Sequence, residues 1–267
     1  TVEEIKHPAV RECLKFMAIT GGVEIHHDGD LPKQSGLGTS SSFAVGLLNT
    51  LHAMKGEMVG PLALAREAIR VERDLCGESV GSQDQVTAAF GGLNYVRFSS
   101  GDAITVQPVT LSPERLQLLQ SHLMLFFTGF SRMASEIAAE QIRNTPRKAP
   151  ELNTLQQMAE EGLQFLTRGD MRAFGRLLHE GWMLKKSLSS KVSNGQIDAI
   201  YDRALKAGAM GGKLCGAGGG GFFLLFVEPE KQEGVRKGLP GCIHVPFEFE
   251  RYGSQIIFFQ PNRMESA

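Results

Sequence analysis

Apolar residues recur at helical spacing over residues 2–18, where Val2, Ile5, Val10, Leu14 and Met17 can share one face interrupted by Pro8. VEIHHDGDL (23–31) is β-branched at its start and bounded by glycine, which predicts a strand. Phe43, Val45, Leu47, Leu48, Leu51 and Met54 then mark a helix that stops near Gly56. PLALAREAIRVERDLCG (61–77) predicts another, opened by Pro61 and closed by Gly77. A short helix at 82–90 leads to strands in LNYVRFS and AITVQPV, and HLMLFFTG (122–129) has the continuous apolar character of a buried strand. From about 132 helical spacing dominates, over 132–144, 150–167, 169–189 and 195–208. GGKLCGAGGGGFFLLFVEP returns to glycine loop and strand, followed by a helix in EKQEGVRKGL and strands in IHVPFEFE and SQIIFFQ. Interleaved helices and strands of this kind give an α+β class.

Composition narrows the function. At 267 residues, with 42% hydrophobic and 21% charged content, the chain can bury a sizeable core as one large domain or two smaller ones. A formal net charge of −1 supplies no global field that would recruit nucleic acid or an acidic membrane surface. No apolar run approaches the length of a membrane span, and the N-terminus does not read as a signal peptide. Cys13, Cys76, Cys215 and Cys242 are scattered without metal-ligand spacing, as reduced thiols of a cytoplasmic protein would be. The chain starts at Thr1 and runs directly into a helical pattern, which predicts a fragment with a segment missing upstream.

Three stretches carry candidate chemistry. In SGLGTSSSFAVGLLN (35–49), glycines lead into a helix through four consecutive hydroxyls. Such a start makes an anion site, because unpaired N–H groups and the helix dipole face a phosphate that glycine lets approach. One hydroxyl suffices as a cap, and the surplus could ligate a magnesium ion riding on the phosphates. No lysine follows where a Walker A loop needs one, and a glycine turn with an ordinary serine cap is the plainer alternative. In VERDLCGESVGSQDQ (71–85), Glu72 and Asp84 stand twelve residues apart across a glycine-bearing turn. They could converge as a magnesium ligand and a base for a hydroxyl, or be solvated helix ends. In KLCGAGGGGF (213–222), five glycines in six positions suggest close approach to a ligand or another backbone, with a flexible loop as the alternative.

These stretches, in this order, resemble the GHMP kinases, the family of galactokinase, homoserine kinase and mevalonate kinase. LPKQSGLGTSSS is similar to their phosphate loop, and Lys213 with GAGGGG to their C-terminal glycine motif. The resemblance implies a ribosomal-S5-like N-terminal half, here truncated, over residues 1–120 and a ferredoxin-like C-terminal half over 121–267. It implies ATP and Mg²⁺, with Gly36, Leu37, Gly38, Thr39, Ser40 and Ser41 around the phosphates, Ser40 and Glu72 on the metal, and Asp84 as catalytic base. Thr128, Arg132 and Gly216, Ala217, Gly218 and Gly219 would face the substrate. The upstream segment would supply part of the sugar and adenine sites.

Within the family, strings such as GSQDQVTAAFGGLNYVRF and LHEGWMLKKSLSSKVSN resemble kinases acting on the anomeric hydroxyl of a heptose 7-phosphate. The expected partner is thus a small-molecule sugar phosphate, with a homodimer left open. Another sugar such as fucose, or a non-catalytic sugar sensor, are the alternatives. A 7-phosphate needs a cationic partner, for which Lys185 and Lys186 are candidates beside the plainer reading of a solvated basic face. His26 and His27 lack the further ligands of a zinc site. Trp182 and Cys215 read as packing residues.

Overall fold

Prolines and glycines set most of the element boundaries. The computed structural model describes residues 1–31, 35–130 and 134–260, which form two compact units. One takes residues 1–31, 38–92 and 250–260, the other 35–37, 93–130 and 134–249. The two units divide at 92/93 and 249/250, with residues 35–37 grouped with the second.

The first unit is helical. Pro8 does not interrupt one long helix but opens α1 (Pro8–Phe16), after a 3-10 turn at Val2–Glu4. A proline has no N–H to donate, so the first helical position suits it. In α2 (Thr39–Met54), Ala44, Val45, Leu47, Leu48 and Leu51 are buried. In α3 (Pro61–Arg70), Leu64, Ala65, Ala68 and Ile69 form the apolar stripe. This helix passes into a π-helical turn at Val71–Leu75, where Cys76 N–H donates to the Val71 carbonyl at 2.8 Å. Such widened turns recur at functional sites. Then comes α4 (Gln83–Phe90).

Residues 23–31 do not form the expected strand. Among its described residues this unit has no strand to pair with, and a lone strand leaves its backbone groups unsatisfied. SQIIFFQ likewise joins no ladder within its described residues, and Ile257 and Phe258 are 94% and 80% exposed. Residues 250–254 are nevertheless tied to the unit. Gly92 N–H donates to the Glu250 carbonyl at 3.0 Å, Ser254 N–H to that of Ala88 at 2.9 Å, and the Asn49 amide to Ser254 Oγ at 3.0 Å.

The second unit begins with an antiparallel hairpin of β1 (Asn94–Ser99) and β2 (Ala103–Pro108), with Val96 opposite Val106. A helix the apolar pattern did not indicate follows, α5 (Pro113–His122), with Ser112 Oγ accepting from Arg115 N–H at 3.3 Å. Next come β3 (Leu123–Phe127), α6 (Ala134–Asn144), α7 (Ala149–Arg168), α8 (Met171–Lys186) and α9 (Gly195–Lys206). β4 (Ala209–Leu214), β5 (Phe222–Val227), α10 (Gln232–Gly238) and β6 (Ile243–Val245) complete it.

The four later strands form one antiparallel sheet in the order β4-β5-β3-β6. With helices between β3 and β4 and between β5 and β6, this is the split β-α-β arrangement of ferredoxin-like folds. β6 is shorter than IHVPFEFE suggested, because Pro246 cannot donate to the ladder. The core gathers Phe126, Trp182, Tyr201, Phe223 and Leu225. Tyr201 stacks on Phe223 at 5.7 Å between ring centres and Trp182 meets Phe223 edge-on at 5.8 Å. Each fully buried side chain of the Phe or Leu type contributes about 1.5–3 kcal/mol. Among the described residues no helix is long and apolar enough to cross a membrane.

Candidate functional site

In the first unit, the surplus hydroxyls have a destination other than capping. The residue before α2 is Gly38, in left-handed backbone at φ 70°, and no side chain caps the helix. Ser40 Oγ donates to Glu72 Oε1 at 2.8 Å, and Ser41 Oγ to Glu72 Oε2 at 2.7 Å. A third donor, Gln85 Nε2, reaches the same Oε2 at 2.6 Å. Glu72 is 1% exposed, and Ser41 and Gln85 are buried with it, while Ser40 opens to solvent. The π-helical turn carries Glu72 into this arrangement. Burying a carboxylate is costly unless donors surround it, and three do so here.

Asp84, half-buried, precedes Gln85 at the start of α4. It lies beside Gly38, where a Cβ would come within 3.1 Å of the Asp84 Cβ and Cγ. A side chain at position 38 would therefore press on Asp84 as well as strain the left-handed backbone. Glu72 and Asp84 thus both lie beside the start of α2. Glu78, a half-buried carboxylate nearby, is pushed above its ordinary range by burial and then by the charge of Glu72.

The donors around Ser40 and Glu72 are hard oxygens, and the buried Gln85 Oε1 has no hydrogen-bond partner. Among the described residues no group of three or more His, Cys, Asp or Glu is gathered for a metal ion. One carboxylate and one hydroxyl suit a divalent cation such as Mg²⁺, which takes few protein ligands and completes its shell with water and phosphate oxygens.

In the second unit, the glycine run is anchored rather than loose. Gly221 N–H donates to the Phe130 carbonyl at 2.9 Å, and Gly219 N–H to that of Val192 at 2.9 Å. The Gly221 carbonyl accepts from Thr128 N–H at 2.9 Å and from its hydroxyl at 2.8 Å. Gln141 donates to the Ala217 carbonyl at 2.9 Å and Lys185 Nζ to that of Gly216 at 2.6 Å. Residues 35–37 lie against this loop. A Cβ on Gly216, at φ +68°, would stand 2.8 Å from the Gly36 Cα, so two glycines allow the backbones to touch.

The sequence candidates fall as follows. Ser40, Ser41, Glu72 and Asp84 come together in the first unit around the Gly38–Thr39 step. Gly36 and Leu37 belong to the second unit, where Gly36 meets the Gly216–Gly219 loop and Thr128 supports that loop from below. Lys186 is paired with Asp198 at 3.0 Å, whereas Lys185 sits on the glycine loop. Arg132 lies outside the described residues. Trp182 packs in the core, and His27 meets the Phe43 ring edge-on at 4.8 Å. The sequence reading did not single out Gln85, whose only local signal is its place beside Asp84, nor Gln141.

Comparison with known proteins accounts for this order of features. The profile of the GHMP kinases N terminal domain matches residues 5–92, and that of the GHMP kinases C terminal region matches 163–241. A D-glycero-alpha-D-manno-heptose 7-phosphate kinase of Campylobacter jejuni is 31% identical over 217 residues, which cover 80% of this chain and 64% of the relative. The chain thus spans just under two thirds of that relative's length. A crystal structure of a D-glycero-D-manno-heptose 1-phosphate kinase from Bacteroides thetaiotaomicron superposes with a TM-score of 0.68 at 30% identity, covering 92% of this chain and 71% of that one. Lactococcus lactis galactokinase, complexed with galactose, shares the fold at a TM-score of 0.71 and 18% identity, over 94% of this chain and 76% of that one. With both family regions matched in order, and with a kinase structure 30% identical over most of its length, the chain belongs to the GHMP kinase family.

Proposed function

We propose that the protein is an ATP-dependent sugar kinase that phosphorylates the anomeric hydroxyl of D-glycero-D-manno-heptose 7-phosphate, giving the 1,7-bisphosphate. The observation that carries the kinase part is the buried Glu72 carboxylate, hydrogen-bonded by Ser40, with Asp84 set against the start of the same helix. The sugar is supported by the likeness to the two heptose phosphate kinases.

In the first unit, the N-terminal amides of α2, from Thr39 to Ser41, would hold nucleotide phosphates. Ser40 and Glu72 would hold Mg²⁺, which, when bound, neutralises charge on the phosphates being transferred. Asp84 would accept or orient the proton of the attacking anomeric hydroxyl. Half-burial leaves it open to a ligand, and Gly38 leaves it room. Phosphoryl transfer asks mainly for positioning and charge neutralisation, which such a small set can supply. In the second unit, Gly36 and Leu37 would complete the phosphate loop, and Thr128, Arg132 and the Gly216–Gly219 loop would face the sugar. Lys185, which donates to the Gly216 carbonyl, and Lys186, which pairs with Asp198, would meet the 7-phosphate. We place the reaction in the cytoplasm, where ATP is supplied.

The test is ADP release by the full-length protein with MgATP across a panel of sugars and sugar phosphates. Turnover confined to heptose 7-phosphate supports the reading. Likeness to a fucokinase/GDP-fucose pyrophosphorylase of Arabidopsis thaliana, 27% identical over 88% of this chain and 23% of that one, makes fucose the second substrate to try. Turnover with fucose alone would keep the kinase and replace the sugar. ATP binding without any turnover would overturn the kinase reading in favour of a sensor.

A further inference from the structure

Glu72 is held unsymmetrically. Its Oε2 takes two buried donors, Ser41 Oγ at 2.7 Å and Gln85 Nε2 at 2.6 Å, while its Oε1 takes only Ser40 Oγ at 2.8 Å among the described residues. A carboxylate oxygen offers about two lone-pair directions, so Oε2 is filled and Oε1 keeps one open beside an exposed hydroxyl. Gln85 itself is fully buried, and its Oε1 has no partner. Buried polar atoms are nearly always paired, so an amide kept here at that cost is kept for what its other end does.

We infer that Gln85 is a positioning residue of the metal site. It clamps Glu72 through Oε2, so that Oε1 is the oxygen presented to the cation. It also ties the first turn of α4, and Asp84 with it, to the metal carboxylate. Consecutive residues on a helix point about 100° apart, so α4 can turn Gln85 inward to Glu72 while Asp84 stays half-exposed beside Gly38. The residue type matters. A lysine would neutralise Glu72 and compete with the cation, and an apolar side chain would leave Oε2 with Ser41 alone. A carboxamide donates a proton without carrying charge. The inference rests on the kinase reading proposed above.

The test uses Mn²⁺ and ADP as probes. ADP affinity is measured by calorimetry with Mn²⁺ and again in EDTA, for the wild type and for Gln85→Met, which keeps the side-chain volume and removes the donor. The ratio of the two affinities reports the metal. Gln85→Met is expected to lower that ratio about tenfold, the usual loss on removing a partner of a metal ligand, while ADP affinity in EDTA stays within about twofold. An unchanged ratio, or an equal loss with and without metal, would overturn the inference and leave Gln85 a packing residue. If Gln85→Met does not fold, Gln85→Asn, which withdraws the amide by one methylene, is read in the same way. A wild type that gains nothing from Mn²⁺ would overturn the kinase reading itself, and the inference with it.

Discussion

Substituting Gly216 by alanine adds one methyl group where two backbones meet. At φ +68° an L side chain is strained by about 1–2 kcal/mol. The new Cβ would stand 2.8 Å from Gly36 Cα and 2.9 Å from the Gly36 carbonyl oxygen. Both are backbone atoms, which cannot rotate away as a side chain would, so overpacking adds about 1–3 kcal/mol. The total is about 2–5 kcal/mol. At about 2–4 °C per kcal/mol for a unit of this size, the second unit's melting temperature falls by about 4–20 °C. Calorimetric or circular-dichroism melts read this directly. Gly46→Ala is the matched control, because Gly46 sits in α2 with nothing within 4 Å of its would-be Cβ. There alanine should stabilise by about 0.5–1 kcal/mol, so the two substitutions carry opposite signs. A Gly216→Ala protein that melts within about 1 °C of wild type would refute the close approach of the loops.

Under the kinase reading, Asp84→Asn should keep ATP and sugar binding but lower turnover by about 10²–10⁴-fold, and turnover near wild type would remove Asp84 as base. His52, buried between Glu57 and Glu67 at 2.7 Å each, is pulled down by burial but raised more by hydrogen bonds to Glu67 and Glu57, for a net pKa above its ordinary value. Its stabilisation is therefore complete below about pH 6.5 and is lost as pH rises through the folded-state value. The wild-type advantage over His52→Gln in urea midpoint should shrink above that pH, and a constant difference would contradict the pairing. Burial pushes the Cys13 thiol up to about 12 and the Cys76 thiol up to about 11, so thiolate fractions at pH 8 are about 10⁻⁴ and 10⁻³. Mapped iodoacetamide labelling should find both slow in the native protein and fast in urea; native labelling at the urea rate would contradict their burial.

Local chemistry was legible where it is written in residue type. Pro61 reads as the opening of a helix and is one, whereas Pro8, read as an interruption, opens α1 instead. Even so, α5 escaped notice, although Ser112 followed by Pro113 and Glu114 is a helix start, because its apolar spacing is weak and only Leu119 is buried. VEIHHDGDL has the residues of a strand, but a strand is a property of two segments and this one has no strand partner among the described residues. The same holds at the site. That the hydroxyls of Ser40 and Ser41 turn to Glu72 depends on contacts 32 and 31 residues away in sequence. Gln85 could not be told from any other polar residue of α4 until its burial was known.

The ties between residues 250–254 and the first unit set an order of synthesis. A ribosome releases residues 38–92 long before Glu250 and Ser254. At about 5–20 residues per second the interval is about 8–30 s. Throughout it, the Ala88 carbonyl, the Gly92 N–H and the Asn49 amide await partners not yet made. The second unit, complete once Phe249 has emerged, is the one whose chain is delivered first in full. The ties that complete the first unit are therefore made only after the second unit's chain has emerged, although residues 38–92 precede 93–249 in sequence.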